Sequence, residues 1–104
     1  MTRLELDFND MKINYDLDNY NQLTQDQVEV IKAYDKKQKS RGNSTNTREN
    51  HIFFLMQFAR TVKKSFSDVA EEDITDYLAH DIKQTTRNWY ISILSIFFNF
   101  IILF

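Results

Sequence analysis

Apolar residues recur at helical spacing along most of this chain, and short polar segments separate the apolar runs. The first run carries Val28, Ile31 and Tyr34 behind residues 24–27, whose Thr-Gln-Asp-Gln order has the pattern of a capping box. This arrangement predicts a first helix over residues 24–40, where several lysines suit the negative end of the helix dipole.

Three more helices are predicted after a polar loop at residues 40–46. The loop holds the only glycine, Gly42, which suits the left-handed position that often ends a helix. The spacing of the apolar residues then predicts helices over residues 47–64, 71–80 and 85–104. The expected caps are polar side chains: residues 43–47 for the second helix, Asp68 for the third, and Thr85 or Thr86 for the fourth.

The N-terminal residues follow a different period. Apolar and polar residues alternate over residues 1–17, with Asn9 and Asp10 between the two alternating runs. Alternation with a period of two is typical of half-buried strands, so this arm is predicted to form either a short β-hairpin or an extended segment lying on the helices.

Composition supports a single helical domain. A chain of 104 residues with 42% hydrophobic residues, one glycine and no proline favours one helical core over a tight-turned β fold. The absence of cysteine excludes disulfides, iron–sulfur clusters and cysteine-based zinc sites. We therefore expect an all-α fold, a small four-helix bundle, with an N-terminal arm at residues 1–23 and a helical domain at residues 24–104.

The two chain ends bear on localisation. The first ten residues are acidic and lack the apolar core of a signal peptide, which, with the missing cysteines, favours the cytoplasm. Residues 89–104 carry no charge, but this stretch is shorter than the roughly 20 apolar residues that a bilayer span requires. It is expected to be a core helix whose apolar end docks on sequence absent from these residues. The alternatives are self-association through this aromatic helix and a weak membrane anchor, of which the membrane is the less favoured partner.

Charge is unevenly distributed along the chain. Residues 36–64 hold eight Lys or Arg and one Glu, a net charge of +7, whereas the whole chain has a net charge of −2. A basic segment in an acidic chain favours a polyanionic partner. The alternative is that Lys36, Lys37 and Lys39 only solvate the end of the first helix and interact with its dipole.

The starts of the second and fourth helices share a composition. Each opens with hydroxyl-bearing residues and an arginine, and each then becomes densely apolar and aromatic. Helix N-termini present free N–H groups and a positive dipole to phosphates, and Ser, Thr and Asn side chains contact phosphate oxygens. These starts are therefore expected either to bind nucleic acid or to serve only as caps.

Other candidate chemistry is weak. His51 and His80 stand 29 positions apart with no cysteine to complete a metal site, and the acidic residues 71–73 match the dipole of a helix start. The residues show no evident catalytic constellation. We expect no catalytic residue, no metal and no cofactor.

Taken in order, these features resemble the N-terminal core-binding domain of tyrosine recombinases, the phage-integrase and Xer-type enzymes. The resemblance covers residues 24–100 and is carried by the following segments: Asn-Ser-Thr-Asn-Thr at 43–47 with Leu55 and Phe58, Val-Ala-Glu-Glu-Asp-Ile at 69–74 with Tyr77 and Leu78, and Thr-Thr-Arg at 85–87 with Leu94 and Ile-Phe-Phe at 96–98. Two departures are evident: Ala70 stands where the family often has Ser or Thr, and Arg87 is the only cation of the fourth helix.

The resemblance implies a sterile-alpha-motif-like (SAM-like) bundle that clamps double-stranded DNA through the starts of its second and fourth helices, as part of an integrase or site-specific recombinase. The residues that it implies as DNA contacts are Arg41, Ser44, Thr45, Asn46, Thr47 and Arg48 at the second helix and Lys83, Gln84, Thr85, Thr86 and Arg87 at the fourth.

The resemblance also implies that the cleavage chemistry lies elsewhere. Enzymes of this family cut DNA with a tyrosine nucleophile in a separate C-terminal domain, which is expected to be absent from these residues. The chain is therefore expected not to be an enzyme on its own. Two other functions stay open: a small helical protein-interaction module, and a helical protein associated with a membrane through its C-terminus.

Overall fold

The computed structural model describes residues 3–8, 11–16 and 23–103, with side chains for residues 23–102. Its elements, in chain order, are β1 (Arg3–Phe8), β2 (Met11–Asp16), α1 (Gln25–Ser40), α2 (Thr45–Val62), a 3-10 turn (Phe66–Asp68), α3 (Glu71–Leu78) and α4 (Gln84–Leu103). Among these described residues the four helices build the domain, which confirms the prediction of an all-α, four-helix bundle.

Two described segments of the N-terminal arm pair as strands, in agreement with the hairpin prediction, whereas the predicted turn at Asn9 and Asp10 lies outside the described residues. β1 pairs with β2 in antiparallel register, with Arg3 opposite Asp16 and Phe8 opposite Met11. Residues 17–22, where the arm is predicted to join the helices, lie outside the described residues, so the domain boundary stays a prediction.

The start of α1 forms as its sequence predicts. The Thr24 hydroxyl accepts a hydrogen bond from the Gln27 N–H at 3.1 Å, and the Gln27 side chain accepts one from the Thr24 N–H at 2.9 Å. The Gln27 amide group also donates to the carbonyls of Ala59 (3.4 Å) and Lys64 (2.8 Å) near the end of α2. Because these bonds satisfy it, Gln27 is buried at little cost and joins the start of α1 to the end of α2.

The turn between α1 and α2 depends on Gly42. This residue has a φ angle of +81°, and the Asn43 N–H donates to the Gln38 carbonyl at 3.2 Å, as in a Schellman motif. The sequence-based assignment of Gly42 to a left-handed helix end is confirmed. The turn directs the chain from α1 into the N-cap of α2 at Ser44.

The third helix is capped differently from the prediction. Asp68 does not cap it, because Asp68 lies in the 3-10 turn. The Asp73 carboxylate instead accepts a hydrogen bond from the Ala70 N–H at 2.8 Å. It also forms an ion pair with the Lys64 ammonium group at 3.0 Å. The Ala70 N–H and the Lys64 ammonium lower the pKa of Asp73. Asp73 therefore forms the half of a capping box in which the third helical residue bonds the N-cap N–H, whereas Ala70 has no side chain to form the other half.

The core is aromatic and lies where α1, α2 and α4 meet. Tyr34 contacts Phe97 edge-on with ring centroids 5.1 Å apart, and Phe58 contacts Tyr77 of α3 in the same manner at 5.0 Å. Fully buried residues of this core are Ile31, Tyr34, Ile52, Leu55, Met56, Phe58, Ile93 and Phe97. Each such side chain contributes about 1.5–3 kcal/mol through burial, which fixes the helices against one another.

Candidate nucleic-acid interface

The first turn of α2 is exposed and polar. Ser44 is its N-cap, and the Ser44 hydroxyl accepts a hydrogen bond from the Thr47 N–H at 3.2 Å. Arg41 and residues 44–47 are all exposed. The earliest N–H groups of a helix have no acceptor within the helix, so this end offers hydrogen-bond donors and the positive end of the dipole to solvent.

The position of Arg48 does not fit the expectation that it contacts DNA from this helix start. Its side chain is only 2% exposed, and its guanidinium forms a bidentate ion pair with the buried Asp35 of α1, with N–O distances of 2.8 and 2.7 Å. A guanidinium held in this way cannot reach DNA without leaving the core. We therefore remove Arg48 from the expected contact residues.

The first turn of α4 begins one residue earlier than the sequence suggests. The Arg87 N–H donates to the Lys83 carbonyl at 2.9 Å, so Lys83 occupies the N-cap position. Thr85 and Thr86 lie inside the first turn and are not caps, contrary to expectation. Lys83, Gln84 and Thr85 are exposed, and Thr86 is half-buried.

Arg87 points back toward the preceding helix. Its Nε–H donates to the Leu78 carbonyl at 3.1 Å, and its Nη2 group donates to the carbonyls of His80 at 3.1 Å and Ile82 at 3.3 Å. Its Nη1 group donates to the Gln84 side-chain oxygen at 2.9 Å. Most of the guanidinium is thus occupied within the protein.

Contacts one to two turns into each helix bring the two starts to the same side of the bundle. The ring of His51 in α2 lies 6.5 Å from the ring of Trp89 in α4, and Phe54 stacks on Tyr90 with ring centroids 4.4 Å apart. His51 and Trp89 both belong to the first two turns of their helices. The exposed residues of the two starts, Arg41, Ser44–Thr47 and Lys83–Thr85, together with the half-buried Thr86, are called the helix-start surface below.

His51 lies behind this surface and links α1 to α2. Its Nδ1 is 3.0 Å from the Tyr34 hydroxyl, and the two rings are stacked. Burial lowers the pKa of His51 and raises the pKa of Tyr34 to about 12. A neutral His51 that accepts the Tyr34 hydrogen bond is therefore the form that suits the fold at neutral pH.

The basic residues of the segment 36–64 differ in whether they are exposed or paired within the protein. Lys36 and Lys37 of α1 are exposed next to Arg41, at the end of α1 that leads into the start of α2. Lys64 lies at the other end of α2 and is paired with Asp73. The basic segment seen in the sequence is thus partly neutralised within the fold. Its exposed cations are divided between the helix-start end, at Lys36, Lys37 and Arg41, and the opposite end of α2, at Lys63.

Other chemistry finds little support in the described residues. No group of three or more metal-ligating side chains occurs among residues 23–102. No helix within the described ranges has the length and apolarity needed to cross a membrane. Tyr77, like Tyr34, has its pKa raised to about 12, mainly by burial, so both phenols are neutral at pH 7.

The sequence reading missed Asp35 as the partner of Arg48. A signal for it was present, because Asp35 shares the inward face of α1 with Ile31 and Gln38, three to four residues on either side. An acidic residue on a buried face needs a cation or several hydrogen-bond donors. The sequence did not identify which cation this is, because several lysines and Arg41 lie closer to Asp35 along the chain than Arg48 does.

A small bundle of four helices with exposed, polar starts on α2 and α4 is the architecture of a SAM-like helical domain. The family model described as the phage integrase N-terminal SAM-like domain matches residues 30–102. The chain therefore belongs to this family, whose N-terminal domain is not itself the catalytic part of the integrase. Comparison with curated proteins and with solved structures finds no match.

Proposed function

We propose that this chain binds double-stranded DNA through the helix-start surface, as the core-binding part of an integrase or site-specific recombinase. The observation that supports it most directly is the contact between His51 and Trp89, because it brings two polar helix starts to one side of the bundle. Two helix N-termini on one side can bind neighbouring phosphates of one DNA backbone.

Each part of the surface has a distinct proposed role. Arg41 and Lys83 neutralise phosphates, since both are exposed cations at the helix starts. The hydroxyls of Ser44, Thr45, Thr47, Thr85 and Thr86 donate to phosphate oxygens, which fixes the register of the domain on DNA. Asn46 and Gln84 have the amide groups that can read adenine in the major groove.

This proposal carries further expectations about the protein. DNA cleavage would require residues outside the described helices, so we propose that the bundle contributes binding and no catalysis. We also propose that residues 24–104 act as the DNA-binding unit and residues 1–23 as an arm. A DNA partner places the protein with the DNA, which we propose to be in the cytoplasm.

The test is the salt dependence of binding to a labelled duplex, followed by fluorescence anisotropy. Each phosphate contact contributes a slope of about −0.9 to log K against log salt, so the double variant Arg41→Gln, Lys83→Gln should lose about 1.8 from that slope. Lys63→Gln is the matched control. Lys63 is exposed but follows the other end of the 18-residue α2, about 27 Å from its start.

Two results would count against the proposal. The first is a double variant whose affinity and salt slope equal those of the unmodified chain. The second is a Lys63→Gln variant that weakens binding as much as the double variant does, because the basic charge would then act without regard to its position.

A specific observation also favours self-association as a second function. The side chains of Ile91, Ile96 and Ile102 on α4 are 45%, 40% and 79% exposed. An apolar cleft between α3 and α4 lies beside Ile91 and is lined by Ile74, Leu94 and Phe98. Sedimentation equilibrium would detect a dimer that Ile91→Gln abolishes, and vesicle flotation would detect the membrane-associated alternative.

A further inference from the structure

Arg87 is one of the residues that the sequence points to as a DNA contact, yet its guanidinium lies against the chain segment that precedes α4. Its three carbonyl partners, at residues 78, 80 and 82, span the end of α3 and the connector to α4. We infer that Arg87 is a positioning residue, which holds this connector so that Lys83 and Gln84 face DNA. This inference rests on the proposed function.

The electrostatics of the two helices favour this role. Arg87 lies in the first turn of α4, where the positive end of the dipole disfavours a cation. Its guanidinium instead reaches the Leu78 carbonyl at the last residue of α3, where the negative end of that dipole favours a cation. One side chain therefore joins the end of one helix to the start of the next.

The hydrogen-bond count of Arg87 leads to the same conclusion. An arginine side chain has five N–H donors, and four of those on Arg87 are used, three by carbonyls and one by Gln84. A phosphate could be bound in a bidentate manner only if Arg87 gave up carbonyl partners, which would release the end of α3 and the connector from each other. The local geometry thus favours holding the connector over binding phosphate.

Replacing Arg87 by lysine distinguishes a positioning role from a phosphate contact. Lysine keeps the charge but has a compact ammonium group that cannot span three carbonyls as a planar guanidinium does. For a phosphate contact, Arg87→Lys retains most of the affinity and Arg87→Gln lowers the salt slope by about 0.9. For a positioning residue, both variants lose affinity alike and the salt slope falls by the same amount in both, by up to about 0.9, because each variant frees Lys83 from its place on the surface.

The experiment measures two quantities on the full chain carrying Arg87→Lys or Arg87→Gln. Amide hydrogen exchange reports on the Ile82 N–H, which donates to the His80 carbonyl at 2.9 Å within the connector. We expect exchange to be about tenfold faster in both variants. Anisotropy titrations give the DNA affinity and its salt slope, with Lys83→Gln as the control that lowers the slope.

The outcomes separate this inference from the proposed function. Wild-type exchange at Ile82 in the Arg87→Lys variant, or a slope lowered by about 0.9 in Arg87→Gln but unchanged in Arg87→Lys, would overturn the positioning role. An unmodified chain that binds no duplex DNA would overturn both, because nothing would then be positioned for DNA. DNA binding with a fully functional Arg87→Lys variant would overturn only the inference.

Discussion

The ion pair between Asp35 and Arg48 supports the most decisive stability prediction. Both side chains are buried, with exposures of 0% and 2%, and two short hydrogen bonds join them. Arg48→Met keeps the aliphatic part of the side chain and removes the guanidinium. It therefore leaves the Asp35 carboxylate buried without this partner.

The expected loss is large relative to the stability of a small domain. Removing one partner of a buried ion pair costs about 3–5 kcal/mol, whereas the whole domain is expected to be stable by about 5–15 kcal/mol. The double variant Asp35→Leu, Arg48→Met removes both charges, so it should recover about 2–3 kcal/mol of that loss through the coupling between the two residues.

The assay is urea unfolding followed by circular dichroism, with Lys36→Met as the control. Lys36 is exposed and adjacent to Asp35, so its replacement should change stability by no more than about 0.5 kcal/mol. The reasoning fails if Arg48→Met is within about 1 kcal/mol of the unmodified chain. If that variant instead kept its stability and lost DNA affinity, Arg48 would be a DNA contact after all.

Three further predictions concern the fold that supports the surface. In Gly42→Ala the added Cβ would lie within 4 Å of no other atom, but alanine would be forced to a φ of +81°. Thermal unfolding should therefore show a loss of about 1–2 kcal/mol in the free energy of unfolding, and an unchanged midpoint would contradict the assigned turn. Because burial lowers the pKa of His51, stability relative to His51→Gln should be constant above pH 6.5 and fall as the pH drops below it; parallel pH profiles would refute this. Phe97→Ala removes a fully buried ring and should cost about 3–5 kcal/mol by chemical denaturation, whereas Asn99→Ala on the exposed face of α4 should cost little.

Local sequence patterns predicted those parts of the fold that local interactions decide. The reciprocal bonds of Thr24 and Gln27 and the left-handed Gly42 involve residues no more than five apart, so the one-dimensional pattern contains all the partners. The exact start of α2 was harder to predict. Residues 43–47 are all able to cap, and the choice of Ser44 depends on where the preceding turn leaves the chain.

Tertiary contacts decided what local patterns could not. At the third helix the bond between Asp73 and the Ala70 N–H is local, but the ion pair between Asp73 and Lys64 joins the end of α2 to α3 across nine residues, and the sequence had indicated Asp68 as the cap. Likewise, the burial of Gln27 follows from carbonyls at the far end of α2, which no helical periodicity can indicate. Sequence reading therefore placed the helices well and their polar side chains less well.

The two arginines show why charge near a helix start is a weak guide to an interface. A long side chain can reach outward to a ligand or backward to its own protein, and nearby acceptors decide which. Arg48 has the Asp35 carboxylate within reach and Arg87 has three carbonyls at a helix end, so both turn inward. The cations left at the helix starts are Arg41 and Lys83, so the proposed DNA binding should depend more on helix N-termini and hydroxyl groups than the basic segment in the sequence suggests.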